Sequence, residues 1–545
     1  MREFYENYCA NVQAMEKELR PKENFDILTR TLAVGDEELS FFFIDGFAKD
    51  AQLGKLMMHF LSLPHAGSAE NLARKLPQIE VDICEDLDQA LTAVLSGQTA
   101  LFGTNFGKKC ILIDLRTYPA RSVSEPESDK VMQGARDGFT ETLVVNTALL
   151  RRRVRDTRLT MEYCNLGGIS KTDVVICYLK GVADEAFVMQ LSQRIARLRP
   201  KSLTLGFQSL AESLIRSRWY NPFPKIRTTE RPDTAAAQVV EGSVLVFCDT
   251  SPQVMILPTS LFDYLQQTDD YYYPPLTGTY LRIVRTLILL LSVVATPLWY
   301  LSLKYSAILP PGLAFLIPDE SGALPIILQL FLAELAIDGL KIASMNTPDM
   351  LSNSLSVVGA LLLGDFAIAV GWFCVDVILY MAFVAIANFA QQNHELGYAF
   401  KFMRMLILAL SALLGIWGFA LGCVLFCVFA ATAKGVGHGR GYLYPLIPWN
   451  GTAMRRLLFR TRKRGFAESP TERTPPRLTA RPPHGYRGFA LGCVLFCVFA
   501  ATKHELYSIS IQKDPHKTAR TISAPARAAV FPAASNIFQK ISPKN

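Results

Sequence analysis

Residues 405 to 433, MLILALSALLGIWGFALGCVLFCVFAATA, run for 29 positions without a formal charge. A bilayer core about 30 Å thick needs roughly 20 apolar helical residues at 1.5 Å each, so this run is long enough to cross one. Residues 286 to 303, TLILLLSVVATPLWYLSL, give another 18 uncharged positions. Both lie beyond Arg285, and the charged, less apolar half lies before it. A wholly soluble protein is thereby excluded. The expected fold class is an α/β cytoplasmic region of two subdomains followed by a polytopic α-helical membrane domain.

In the first half, FFFIDGF at 41–47 and KCILIDL at 109–115 read as strands, with a helix near 51–63 between them. The turn-rich SVSEPESD at 122–129 closes a first subdomain, placed at 1–130. A helix from Gly138 opens the second, 131–280. LTMEYC and TDVVICYL then form two strands around a turn at Gly167-Gly168, and a helix follows at about 184–198. RPDTAAAQVVEG carries a helix start at Pro232-Asp233, and SVLVFCD with PQVMILP forms a hairpin that closes the sheet.

The membrane domain is placed at 281–433. Residues 351–394 carry only Asp365 and Asp376 as formal charges and suffice for two spans joined near Gly371-Trp372. With 286–303 and 405–433 they make four crossings. Residues 306–343 contain Pro310, Pro311 and Pro318, then Glu334, Asp338 and Lys341, and read as a re-entrant or interfacial element; one tilted polar span stays open. Arg282 and Arg285 before the first span and the basic segment 434–464 after the last put both flanks in the cytoplasm, which demands an even number of crossings. Lys401 and Arg404 then fall on the far side, against the rule.

Charge is concentrated at the end. Beyond residue 433 there are 19 Lys and Arg against four Asp and Glu, so the chain's net +8 belongs to its tail and the remainder is acidic. RRLLFRTRKR at 455–464 follows a span and suits anionic lipid. No zinc module, recognition helix or aromatic platform accompanies it, so nucleic acid is not an expected partner. GFALGCVLFCVFAAT occurs at 418–432 and again, letter for letter, at 488–502. The second copy would cover only about 22 Å as a helix, too short to cross comfortably. Residues 465–545 are read as an atypical, disordered extension. The charged N-terminus is no signal peptide.

No enzymatic motif emerges, and neither cofactor nor metal is expected. GVGHGRG at 435–441 has neither the GxGxxG nor the P-loop spacing. Cys423 and Cys427 share a helix face without His or carboxylate ligands, and no HExxH is present.

The strings GARDGFTETLVVNTALLRRR at 134–153, GGISKTDVVICYLKGVAD at 167–184, NPFPKIRTTERPD at 221–233, EGSVLVFCDTSPQVMILP at 241–258 and TDDYYYPPLTGTYLRIVR at 268–285 together resemble the GerA-type A-subunit family of spore germinant receptors. The similarity spans about 30–464. PLWY at 297–300 and YLYPLIPWN at 442–450 favour one branch over an ordinary receptor subunit. The resemblance implies a multi-pass protein of the inner spore membrane with its soluble region and C-terminus cytoplasmic. It also implies self-association around an ion path, with a small membrane partner protein and germinant receptors as candidate partners. The alternative is a nonconducting scaffold that clusters or stabilises receptors.

Four carboxylates are candidates for the ion path. Asp365 and Asp376 sit in apolar runs, where a buried carboxylate normally faces protein, water or an ion; for Asp376 the competing reading, a helix cap at headgroup depth, is the stronger. Glu334 and Asp338, four residues apart, share a helix face with Lys341 three further on. They serve a cation vestibule or the polar side of an interfacial helix equally well. Arg151, Arg152, Arg153, Arg227, Glu230 and Arg231 are candidate cytoplasmic subunit contacts, with structural ion pairing as the competing reading.

Overall fold

The computed structural model describes residues 2–48, 50–117, 134–215, 220–318, 322–347, 359, 366–391, 393–433, 436, 442–447 and 449–460. Asp365, the glycine-rich 435–441 segment apart from Val436, the turn-rich 122–129 stretch and the second apolar copy at 488–502 fall outside them.

The first α/β subdomain runs α1 (Tyr8–Leu19), β1 (Ile27–Val34), β2 (Glu37–Ile44), α2 (Asp50–Ser62), α3 (Ala69–Lys75), β3 (Val81–Cys84), α4 (Leu87–Leu95), β4 (Thr99–Gly103) and β5 (Cys110–Ile113). Its antiparallel sheet has the order β1-β2-β4-β5-β3. Successive strand residues point to opposite faces, and both faces are covered. Phe42, Phe102 and Leu112 pack with Met15 and Leu19 of α1 and Leu91 and Val94 of α4. Phe41, Leu101 and Ile111 pack on the other side with Leu56 and Phe60 of α2 and Leu72 of α3.

The second subdomain repeats this order: α5 (Leu143–Arg153), β6 (Leu159–Leu166), β7 (Thr172–Leu179), α6 (Glu185–Arg197), α7 (Phe207–Leu214), β8 (Arg227–Thr229), α8 (Pro232–Val240), β9 (Val244–Cys248) and β10 (Val254–Leu257). The sheet order, β6-β7-β9-β10-β8, is that of the first sheet transposed by five strands. A buried asparagine marks the equivalence. Asn11 accepts from the Tyr5 amide at 2.7 Å and donates to the Tyr5 carbonyl at 2.8 Å. Asn146 does the same for the Thr140 amide at 2.7 Å and donates to the Thr140 carbonyl at 2.5 Å. Each side chain replaces a strand neighbour for an otherwise unpaired peptide ahead of its helix.

The subdomains are stitched by residues 20–26. Arg20 donates to the Thr157 carbonyl at 2.6 Å, and Asn24 accepts from the Met161 amide at 2.9 Å. Arg151 donates from Nε to Asp26 Oδ2 at 2.8 Å and from Nη2 to Oδ1 at 3.0 Å.

Beyond a short helix α9 (Asp269–Tyr272) the described residues are mainly helical: α10 (Pro275–Lys304), α11 (Ile326–Asn346), α12 (Val375–Phe389), α13 (His394–Leu414) and α14 (Ile416–Thr432), with α15 (Gly451–Leu458) following in sequence. Two of these, α10 and α13, are long and apolar enough to cross a membrane. Residues 326–346, within the stretch read as a re-entrant or interfacial element or one tilted polar span, form one unbroken helix whose charges are matched by a neighbouring helix. The three prolines of that stretch precede it: Pro311 opens a short 3₁₀ turn, Pro310 lies just before the turn and Pro318 just beyond it. Gly371, at φ 76°, turns the chain before α12.

The 29-residue apolar run is not a single helix. Gly415 adopts φ 62°, a left-handed conformation open to glycine, and folds α14 back along α13. Gly418 and Gly422 let the two backbones meet: a Cβ on Gly418 would lie 1.8 Å from the Leu410 carbonyl oxygen, and one on Gly422 2.9 Å from Ile407. Alanine normally favours a helix over glycine by about 1 kcal/mol. Gly418→Ala is nevertheless expected to destabilise the protein, by about 1–3 kcal/mol of overpacking, read as a lowered midpoint of unfolding in detergent. A raised midpoint would refute the close approach.

The end of α14 returns to the α/β region near the start of α10. Asn221 donates to the Phe429 carbonyl at 3.0 Å, Tyr442 donates to the Pro224 carbonyl at 2.7 Å, and Phe223 stacks edge-on against Phe400, Phe426 and Tyr442. At the other end, Lys304 closing α10 donates to the Ala412 carbonyl late in α13 at 3.0 Å.

Candidate functional site

Helices α11 and α13 run antiparallel, and their charged residues meet in ladder fashion. Glu334, Asp338 and Lys341 recur on one face of α11 at steps of four and three; Tyr398, Lys401 and Arg404 recur on α13 at steps of three. The resulting partners are 334 with 404, 338 with 401 and 341 with 398. Arg404 donates from Nε to Glu334 Oε1 at 2.7 Å, and its Nη2 lies 2.6 Å from the same oxygen. Its Nη1 donates to the Ser292 carbonyl of α10 at 3.2 Å, tying a third helix to the cluster. Lys401 donates to the Glu334 carbonyl at 3.2 Å, lies 3.2 Å from Glu334 Oε2 and pairs with Asp338. Lys341 sits over the Tyr398 ring, 4.7 Å from its centroid.

Glu334, Lys401 and Arg404 are 3%, 4% and 1% exposed. Two carboxylates and two cations sum to zero, which is the condition for burying charge at moderate cost. The apolar setting comes from Leu330, Trp299, Val377, Met381 and Leu408 on one side. On the other, a cavity of about 20 Å³ is lined by Asp338, Lys341, Asn388, His394, Tyr398 and Lys401 among others. It has room for about one water molecule.

Glu334 and Asp338 are thus brought together, with Lys401 and Arg404 as the partners that sequence reasoning left unused. Asp376 stands apart, half-buried in the first turn of α12, where a carboxylate complements the helix dipole. Asp365 lies outside the described residues. Among those described, no group of three or more His, Cys, Asp or Glu side chains gathers to hold a metal ion.

The cytoplasmic candidates occupy different surroundings. Arg151 is fully buried between the subdomains on Asp26, Arg152 is exposed, and Arg153 pairs with Asp137 at 2.6 Å. Arg227 donates to the Gln266 carbonyl at 3.1 Å, and Glu230 accepts from Gln253 at 2.9 Å. Arg231, also fully buried, donates to Asp233 at 2.7 and 3.1 Å and to the Ala135 carbonyl at 3.0 Å. Tyr272 donates to Asp233 at 2.6 Å. Burial pushes the Asp233 carboxyl up, but the Arg231 and Tyr272 hydrogen bonds outweigh it and hold the group below the usual carboxylate range. The RTTERPD string therefore connects the second sheet to the segment leading into α10.

A second buried centre was not anticipated. Asp270, fully buried, receives Arg282 Nε at 3.1 Å and Arg285 Nη2 at 3.2 Å, and Arg282 also donates to the Leu457 carbonyl at 2.9 Å. Arg282 and Arg285, read from the sequence as a positive flank, also hold a buried carboxylate, and Arg282 reaches the end of α15.

A family model described as Bacillus/Clostridium GerA spore germination protein matches residues 13–471. Stage V sporulation protein AF of Bacillus subtilis (strain 168) is 36% identical over 485 residues, covering 88% of this chain and 97% of that protein. Spore germination protein KA of the same organism is 25% identical, covering 83% and 84%. Among solved structures, the N-terminal domain of the A subunit of the Bacillus megaterium spore germinant receptor GerK3 aligns at 21% identity. It covers 47% of this chain and 96% of that one, with a TM-score of 0.35.

Proposed function

This chain belongs to the GerA spore germination family, and from that premise we propose that it is a non-enzymatic subunit of an oligomeric, ion-conducting membrane complex that promotes germination. The observation that carries the reading is the neutral Glu334–Lys401–Arg404–Asp338 cluster inside an apolar helical bundle. Buried ionisable groups at bilayer depth are costly and mark ion or substrate paths far more often than they serve packing alone. In support of a membrane setting, Leu287, Leu290 and Leu298 of α10 and Leu379, Ile386 and Phe389 of α12 are exposed. In an aqueous protein such surface would be a liability; toward lipid it is solvated.

The proposed site of action is the inner spore membrane, with a multi-pass bundle whose α/β region and C-terminal segment share the cytoplasmic side. The return of α14 to the α/β region supports an even number of crossings. Exposed Trp449, Arg455 and Phe459 around α15 suit an anionic lipid interface. Self-association and a small membrane partner protein complete the proposal; germinant receptors are further candidates and nucleic acid is not.

A nonconducting scaffold is the second reading, favoured by the same cluster's being fully balanced within one chain. Purified protein reconstituted into liposomes with and without its partner, loaded with potassium and read as ion flux, separates them. Flux at least tenfold above empty vesicles is expected; background flux in both preparations, at verified insertion and oligomeric size, favours the scaffold.

A further inference from the structure

The surroundings of the Lys401 ammonium differ in kind from those of the Arg404 guanidinium. Arg404 is fixed by directional hydrogen bonds to Glu334 Oε1 and the Ser292 carbonyl. Lys401 Nζ instead sits among three oxygens, the Glu334 carbonyl, Glu334 Oε2 and Asp338 Oδ2. Glu334 Oε2 is fully buried with no donor well aligned on it, and it lies 3.2 Å from Nζ. An ammonium group is a compact point charge of no fixed direction, the same kind of object as an alkali cation, whereas a guanidinium is a planar fork.

Access and charge balance agree with that equivalence. The Asp338 side chain is 32% exposed, and it lines with Lys401 the polar cavity between α11, α12 and α13. With Lys401 withdrawn, Glu334, Asp338 and Arg404 leave one negative charge among themselves, while Lys341, which lines the same cavity, is held over the Tyr398 ring. A monovalent cation restores neutrality where a divalent one would overshoot it.

We propose that Glu334 Oε2, the Glu334 carbonyl and Asp338 form a monovalent-cation site whose occupant in this state is the chain's own Lys401 ammonium. Lys401 is then a tethered plug, and exchange of its charge for potassium or sodium is electroneutral. That this site lies on a conduction path rests on the reading above; that it binds a cation does not.

The test uses the full chain in detergent and in liposomes. Lys401→Gln removes the tethered charge at nearly unchanged length. Its apparent Tm is expected to rise by roughly 3 °C or more when saturating potassium chloride replaces N-methyl-D-glucamine chloride at equal ionic strength. Wild type, Lys401→Arg and the double variant Lys401→Gln/Glu334→Gln should show no such difference. In liposomes, potassium flux through Lys401→Gln should exceed wild type at least tenfold. Potassium stabilisation of Lys401→Gln without flux would leave the site standing and remove the conduction reading. Equal flux from both proteins with no potassium-specific stabilisation would overturn the site and leave conduction intact. Absence of both effects would overturn both. If Lys401→Gln folds in neither salt, Lys401→Ala, which leaves room for an ion and a water, replaces it. Failure of both in potassium while the double variant folds would show that the site accepts no inorganic cation.

Discussion

Arg151→Met is expected to lower the stability of the α/β region by about 3–5 kcal/mol, the range for breaking a buried ion pair from one side. The reason is what remains: Asp26 is 2% exposed, and without Arg151 its carboxylate has lost both guanidinium bonds in a site closed to water. The Leu159 carbonyl loses a donor at 3.2 Å as well. Asp26→Asn should destabilise too, by stranding the guanidinium, and the double variant should lose less than the sum of the singles. Denaturant midpoints in detergent provide the measurement. A loss below about 1 kcal/mol, with a change in oligomer size instead, would return Arg151 to the role of a subunit contact.

The arginine triplet shows how far a sequence carries such an argument. Three adjacent arginines on a helix must point in different directions, 100° apart, so no single role suits all three. Which one turns inward depends on Asp26, more than a hundred residues earlier. The strongly apolar inner strands β2, β5, β7, β9 and β10 are legible because each carries a run of β-branched or aromatic residues. The outer strands β1, β3 and β8 are short or half-exposed and blend into their surroundings. The duplicated topology was hidden for a related reason. Sheet order is set by burial pattern, which many residues satisfy, so two copies of one architecture keep few common letters; Asn11 and Asn146 are two that survive because each makes the same pair of backbone hydrogen bonds.

In the helical region, counting charges treats each segment as alone in lipid and so misses what α11 packs against. Glu334, Asp338 and Lys341 disqualify an isolated span, yet two of them are neutralised by Lys401 and Arg404 from α13. The spacing was available: carboxylates four apart on one helix and cations three apart on another are complementary in an antiparallel pair. Hydropathy counting likewise passed over Gly415, since glycine interrupts a helix by conformation and not by polarity. The three glycines at 415, 418 and 422 turn the chain and then let its two arms touch.

Arg404→Leu is the second variant with a large expected effect, again about 3–5 kcal/mol of lost stability. Leucine fills much of the space and suits Leu408 and Ile407 nearby, so packing alone predicts little change. Electrostatics predicts the loss, because Glu334 then keeps only Lys401, which it shares with Asp338, and its Oε1 loses a 2.7 Å hydrogen bond. Adding Glu334→Gln removes the excess charge. The double variant should therefore recover most of the stability of the wild type, while Glu334→Gln alone, which strands Arg404, should not. Unfolding midpoints of the four proteins in one detergent form a double-mutant cycle, with an expected coupling of about 2–3 kcal/mol. Additive single effects would mean that Glu334 and Arg404 are neighbours without energetic connection. The contrast with Lys401 supplies a second criterion. Potassium should rescue Lys401→Gln, whose missing charge was a point among three oxygens, and should fail to rescue Arg404→Leu, whose missing group also bridged Glu334 to the Ser292 carbonyl of α10.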